Sequence, residues 1–238
     1  MRYWPWLEHV EKPLPDHPLH LPTIVNEHRP KVARRERGET QAANILSVAL
    51  DLFAKHHVAS VTTKQIAAAS KVNSALLYYY FKNKDDLFRQ AVDHAIGQVL
   101  LRFEHVQKTA HGPAEILSAW LNLHLQQVEL IRKFVKVAVD YASSESRTAE
   151  TDATISRFYD TERRMLCQVL QEGIETGDFA QVDVEQTATF ISTFLDGIVI
   201  RSIVLEGFNY AQSVQDLRTF LSHELQVSIQ ESTSFPME

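Results

Sequence analysis

An all-α fold is predicted from three observations. After Thr40 apolar residues recur at three- and four-residue steps, as in Ala42, Ile45, Leu46, Ala49, Leu52 and Phe53. The 238 residues include only seven glycines, five of them beyond residue 100, and no segment reads convincingly as a strand. Six of the eight prolines (Pro5, Pro13, Pro15, Pro18, Pro22 and Pro30) fall in the first 30 residues, which confines the helix-breaking chemistry to one end.

Those prolines remove backbone donors, so residues 1–38 are expected to be an extended, basic arm. It is either loose or docked through Trp4, Trp6 and Leu19 to Leu21. Helices are then expected over 41–56, 63–70, 74–81, 84–109, 114–126, 128–144, 150–176, 184–206 and 212–230. Breaks are marked by His111-Gly112-Pro113, Ser143 to Ser146, Gly177-Asp178 and Gly207 to Asn209. The expected organisation is the arm, a small helical head over 39–87 and a larger helical body over 88–238.

Charge is distributed unevenly. The chain carries a net −6, yet Arg29 to Gln90 holds 11 basic residues against 5 acidic, and everything from Ala91 onward sums to −10. A basic module joined to an acidic body suits a nucleic-acid partner for the first part. The single cysteine, Cys167, excludes an internal disulfide and a multi-thiolate metal site, which points to a reducing cytoplasm. No secretory signal and no run of about 18 apolar residues is expected, hence no membrane partner.

Residues 62–87 carry the chemistry. Thr62 and Gln65 form a capping box that starts a short helix, and Asn73 caps a second one some four residues after the first ends. Two short helices joined this way are a helix-turn-helix, whose second helix enters the DNA major groove. At about 100° per residue, Leu77, Tyr80 and Phe81 share one face of that helix while Ala75 and Tyr79 lie opposite, flanked by Ser74, Leu76 and Tyr78. The three successive tyrosines cannot all be buried. Asn83 caps the next helix with Asp86 as partner, and Lys84 opens it, where a cation is unfavourable unless an anion lies in front.

The run Thr62-Thr63-x-x-Ile66-Ala67-x-Ala69-x-x-Val72-Asn73-x-x-x-Leu77-Tyr78-x-Tyr80-Phe81-x-Asn83-Lys84-x-x-Leu87 resembles the DNA-binding domain of the TetR family of bacterial transcription regulators. The resemblance covers Gln41 to Leu87. It extends more weakly to Gln171-Glu172-Gly173-Ile174-Glu175-x-Gly177-Asp178-Phe179 and Leu195-Asp196-Gly197-Ile198. It implies a homodimer that binds a palindromic double-stranded operator and a small-molecule inducer. Tyr78, Tyr79 and Lys84 then contact DNA, with Thr63, Asn73, Ser74, Ala75 and Leu76 close to the groove. Two positions depart from the family, which has glycine where this chain has His57 and Lys71. If the turn requires a positive φ, Lys71 is strained there.

In the body, Trp120, His124, Tyr141, Phe158, Phe190 and Phe194 are candidates for an inducer pocket, with ordinary core packing as the alternative for each. An inward Arg163, Arg164 or Arg201 would favour an anionic inducer. Ile191, Leu195, Gly197, Ile198, Val199, Ser202, Leu217 and Leu221 form apolar stripes that are either core or the dimer face, with Gly197 allowing close backbone approach. Cys167 is expected to be a buried small hydrophobe. No metal site, cofactor or catalytic motif is read. A protein-binding adaptor would leave the basic segment and the exposed Tyr79 face unexplained. An activator on the same scaffold differs from a repressor only in where its operator lies.

Overall fold

The computed structural model describes residues 31–145 and 147–229, and for residues 31–37, 106 and 109 the backbone alone. The described residues form α1 (Lys31–Lys55), a single 3-10 turn (Val58–Ser60), α2 (Thr63–Ala69), α3 (Ser74–Tyr80), α4 (Lys84–Thr109), α5 (Pro113–Gln126), α6 (Val128–Ala142), α7 (Ala149–Thr176), α8 (Val184–Val204) and α9 (Tyr210–Glu224). No strand occurs among them. The chain divides into two units, residues 1–42 and 43–238. Trp4, Trp6 and Leu19 to Leu21 lie outside the described residues, as do the side chains of Arg34, Arg35 and Arg37.

α1 begins ten residues earlier than apolar periodicity indicates, so the last part of the expected arm is helical. Its opening residues include Lys31, Ala33, Arg34, Arg35, Glu36 and Arg37, straight-chain or small residues that favour helix without supplying an apolar stripe. The boundary expected at 87/88 falls inside α4, which runs unbroken for 26 residues.

Local chemistry fixes the region from α2 to α4. Thr62 Oγ1 accepts the Gln65 N–H at 3.2 Å and Gln65 Oε1 accepts the Thr62 N–H at 2.8 Å, completing the capping box. After α2 the Lys71 N–H donates to the Ala68 carbonyl at 3.2 Å and the Val72 N–H to the Ala67 carbonyl at 3.0 Å. This is a Schellman turn, and its pivot is Lys71 at φ 56°. Asn73 Oδ1 then accepts the Leu76 N–H at 2.7 Å to start α3, and Asn83 Oδ1 accepts the Asp86 N–H at 2.8 Å to start α4. Asp86 does not reach back to the Asn83 backbone: it accepts the Lys82 N–H at 3.0 Å and pairs with Arg89 at 2.8 Å.

The body is built around α5, in which every residue from Leu117 to Leu123, and His124 after it, is buried. α4, α7 and α9 pack on it, and α8 packs between α7 and α9 with a further contact to α6. A Cβ on Gly173 would overlap the Phe179 ring, which folds back over the end of α7 once Gly177 has turned the chain at φ 78°.

α8 corrects one expectation. By length and average composition it is apolar enough to cross a membrane, although Glu185, Asp196 and Arg201 interrupt it and leave no run of about 18 apolar residues. Its Ile191, Leu195, Ile198 and Val199, with Leu217 and Leu221 of α9, are at most 5% exposed within one chain, so they are core and offer no surface to a second copy. Ser202 is also engaged internally, donating to the Val199 carbonyl at 2.7 Å and accepting from Arg132 Nε at 2.9 Å. Gly197 is exposed, and nothing within the chain lies within 4 Å of where its Cβ would be. The apolar residues on the outer face are Phe190, Ile200, Val204 and Leu205, with Phe220 of α9.

The left-handed pivot at Lys71 yields a stability prediction. An L-residue other than glycine pays roughly 1 kcal/mol there, and a β-branched one pays more. Thermal melts should rank Lys71→Gly above the natural chain and Lys71→Val below it, with about 2 kcal/mol, or ~4–8 °C in Tm, between the two variants.

Candidate functional site

α3 presents two faces. Leu77 is fully buried and Phe81, which follows the helix, is 1% exposed, with Tyr80 half-buried beside them. Tyr78 and Tyr79 are 53% and 62% exposed, far above ordinary tyrosine burial in a folded chain. Ser74 and Ala75 are exposed, and Thr63 and Leu76 are half-buried. The Tyr78 hydroxyl lies 3.1 Å from Thr63 Oγ1 on the first turn of α2, which fixes its ring across the helix pair. The Tyr79 ring packs edge-on against Tyr80 at 5.1 Å. Two aromatic bodies with polar tips are thus held out from a rigid scaffold, with Lys64, Lys71 and Lys82 exposed on the same segment.

Lys84 is half-buried, and Nζ donates to the Ala59 carbonyl at 3.0 Å, on the turn after α1. Burial lowers its pKa, with Asp85 opposing the shift. An ammonium has three donors, so one bond to Ala59 leaves capacity for an anion. The Ala59 contact positions the group rather than consuming it.

His57, the other departure from the family pattern, needs no positive φ: its backbone is extended at φ −57°, ψ 136°. Its ring Nδ1 instead lies 2.6 Å from Asp140 Oδ1 on α6, whose Oδ2 accepts the Val58 N–H at 2.7 Å. Burial opposes ionisation of Asp140, but the His57 and Val58 bonds outweigh it and hold the carboxyl below its usual value. Lys133 of α6 pairs with Asp51 of α1 at 2.6 Å, on the same seam. Beside this seam is a cavity of about 50 Å³ lined by Ala59, Lys84, Phe88, Tyr141 and Thr151, among others. That is far below the ~300 Å³ at which small-molecule sites begin. No local pattern announces the seam, because its partners lie 83 positions apart.

The six aromatic and histidine candidates of the body are not brought to one place. Trp120 and His124 are buried neighbours on α5, ring centroids 5.0 Å apart and edge to face. Tyr141 belongs to the seam, stacked on Phe88 at 5.3 Å, its hydroxyl accepting the Thr148 N–H at 2.7 Å and donating to Asp152 at 3.0 Å. Phe158 packs edge-on against Phe134 of α6 at 5.2 Å. Phe190 lies on the outer face of α8, within 6.0 Å of Phe194 and 5.0 Å of Phe220. Arg163, Arg164 and Arg201 are all exposed, Arg163 paired with Glu185 at 3.0 Å, so none of the three carries a charge inward. Cys167 is half-buried next to Arg163 and Glu185 rather than enclosed in the core, and burial raises its thiol pKa.

A second polar cluster lies between α7 and α8. Glu162 is 3% exposed, and Ser192 donates to its Oε2 at 2.5 Å. Burial pushes Glu162 up to about 7 despite that bond, with Asp196 adding to the rise. Asp196 is raised by burial against the bond from the Tyr159 hydroxyl. Along the sequence these acids read as solvent-facing members of amphipathic helices, and only packing reveals them as interior.

Comparison with known proteins places these features together. Residues 45–91 match the family described as bacterial regulatory proteins, tetR family, and residues 113–226 match that described as BetI-type transcriptional repressor, C-terminal. The chain is 26% identical over 148 residues to the HTH-type transcriptional repressor KstR2 of Mycolicibacterium smegmatis, covering 62% of this chain and 72% of that protein. It is 38% identical over 99 residues to an HTH-type transcriptional repressor of Mycobacterium tuberculosis, covering 40% of this chain and half the length of that relative. A TetR transcription regulator from Haloarcula marismortui shares the fold with a TM-score of 0.69 at 21% identity, over 79% of this chain and all of that one.

The buried Glu162 predicts a pH dependence of stability. Its folded pKa of about 7 lies above the ordinary 4.5, so between these values the folded chain binds more protons than the unfolded one and stability falls as pH rises. Denaturant melts should find Glu162→Gln similar to the natural chain near pH 4.5 and more stable at pH 8, by up to about 3 kcal/mol.

Proposed function

The chain belongs to the TetR family of bacterial regulatory proteins and is a ligand-responsive, DNA-binding transcriptional regulator, and from that premise we propose that it is a dimeric repressor which a small molecule releases from a palindromic operator. One observation carries the DNA-binding assignment. Tyr78 and Tyr79 stand exposed on a helix whose opposite side is sealed into the core by Leu77 and Phe81. Phenol hydroxyls donate to phosphate and base edges, and aromatic bodies in water without a partner are otherwise a cost.

In this reading α3 enters the major groove. Ser74, Ala75 and Tyr79 face the bases, Leu76 and Asn73 border the groove, Thr63 and Tyr78 meet the backbone as a bonded pair, and Lys84 neutralises a phosphate. The repressor assignment agrees with the relatives that carry that description. A second copy is proposed to cover the outer face of α8 and α9, where the large apolar side chains of Phe190, Ile200, Val204, Leu205 and Phe220 are exposed. Two recognition helices then meet half-sites ~34 Å apart or a multiple of that, and an inducer acts by favouring a different separation.

Lys84 and Tyr79 perform different tasks on the same duplex, and binding titrations at several salt concentrations separate them. Lys84→Ala should weaken specific and random DNA alike and reduce the slope of log K against log salt by about 1 per subunit, about 2 per dimer. Tyr79→Ala should leave the slope nearly unchanged and cost affinity for the specific site more than for random DNA. An unchanged slope in the first variant, or equal losses on both DNAs in the second, refutes these roles.

A further inference from the structure

Two buried polar atoms of the body have no hydrogen-bond partner among the described residues: Trp120 Nε1 and His124 Nε2. They sit four residues apart on α5, hence on one face and one turn from each other. Their residues are 1% and 7% exposed, and their rings touch edge to face at 5.0 Å. Native interiors rarely leave such groups unsatisfied, and two together ask for an explanation. The other buried polar residues of α5 are satisfied: Arg218 donates to Ser118 Oγ at 2.8 Å and to Asn122 Oδ1 at 2.7 Å. The deficit is therefore confined to the Trp120 and His124 face.

We propose that Trp120 Nε1 and His124 Nε2 form the polar end of the inducer site, and that the inducer is an uncharged, mainly apolar molecule presenting a carbonyl oxygen to both. This deepens the regulatory reading above and rests on it. The Tyr210 hydroxyl lies 3.5 Å from His124 Nδ1, at the long end of a hydrogen bond. With the phenol donating to Nδ1, Nε2 carries the ring proton, so both orphan atoms are donors. Burial lowers the His124 pKa to about 4, so the imidazole is neutral at neutral pH and the pair offers two donors without a positive charge. A carbonyl oxygen with two lone pairs satisfies both atoms. The guanidinium groups nearby are otherwise engaged, Arg132 over the Tyr210 ring at 5.9 Å and Arg218 on Ser118 and Asn122, so two neutral donors would be left to compensate the burial of a carboxylate, and an ammonium has no acceptor to give. Phe103 of α4, edge-on to Trp120 at 5.0 Å, supplies apolar wall.

The test uses the full chain labelled with nitrogen-15 and three probes of similar size: cyclohexanone, methylenecyclohexane and cyclohexylammonium. Of the three tryptophan indole signals, that of Trp120 is the one lost in Trp120→Phe. Cyclohexanone should move the Trp120 indole and His124 Nε2 signals and bind about tenfold more tightly than methylenecyclohexane. His124→Phe keeps a ring against Trp120 and should abolish that preference; if it does not fold, loss of the preference in Trp120→Phe serves the same purpose. The proposal is overturned if the alkene or the ammonium binds as tightly as the ketone, if no probe moves the Trp120 signal, or if the two atoms prove to hold a buried water only that the ketone does not displace. The regulatory reading fails separately, if the chain selects no sequence from a random DNA pool or if cyclohexanone seated at Trp120 leaves affinity for the selected DNA unchanged.

Discussion

The ring of Phe88 lies between two others. On one side it meets Phe53 of α1 edge-on at 5.1 Å, and on the other it stacks on Tyr141 of α6 at 5.3 Å. Phe88 stands near the start of α4, a helix that begins among the DNA-binding helices and ends against α5. One buried side chain thereby joins α1, α4 and α6 within a single continuous core that also holds Ile66 of α2 and Leu77 of α3. A change in how α4 or α6 packs alters the support of Phe53 and hence of α1. Close-packed interiors do not absorb such shifts smoothly. The same packing that gives α3 a fixed place makes that place dependent on the body.

Local costs to stability are visible on both sides of this junction. The head keeps two tyrosines in water and a lysine in a left-handed turn. In the body, buried groups are left under-satisfied at Trp120 and His124, and an acid is buried at Glu162. A ligand that binds only the folded state would offset such costs by stabilising that state.

The head was legible because its determinants are local. Thr62 with Gln65, Asn73 and Asn83 declare helix starts within four residues of themselves, and alternation around Leu77 separates the sealed face of α3 from the open one. The strain at Lys71 was readable as a lysine in a position that wants glycine. The body was legible as helices but not as surfaces. α8 is apolar on two sides, and periodicity alone cannot say which side, that of Ile191 and Leu195 or that of Phe190 and Val204, meets its own chain. The start of α1 escapes apolar periodicity because a charged helix carries no apolar rhythm. His57 with Asp140 and Glu162 with Ser192 are invisible to any local reading, since distant segments make them.

The two links from α6 to the head, Lys133 with Asp51 and Asp140 with His57 and Val58, lie seven residues apart. Seven residues are two turns, about 10.5 Å, so both links leave α6 on the same side and fall on a line nearly parallel to its axis. As far as these two links go, sliding along α6 would stretch both, whereas a swing about the line through them stretches neither, so they fix the register of the head along α6 and leave its angle about that helix to be set by the packing of Phe88 between Phe53 and Tyr141.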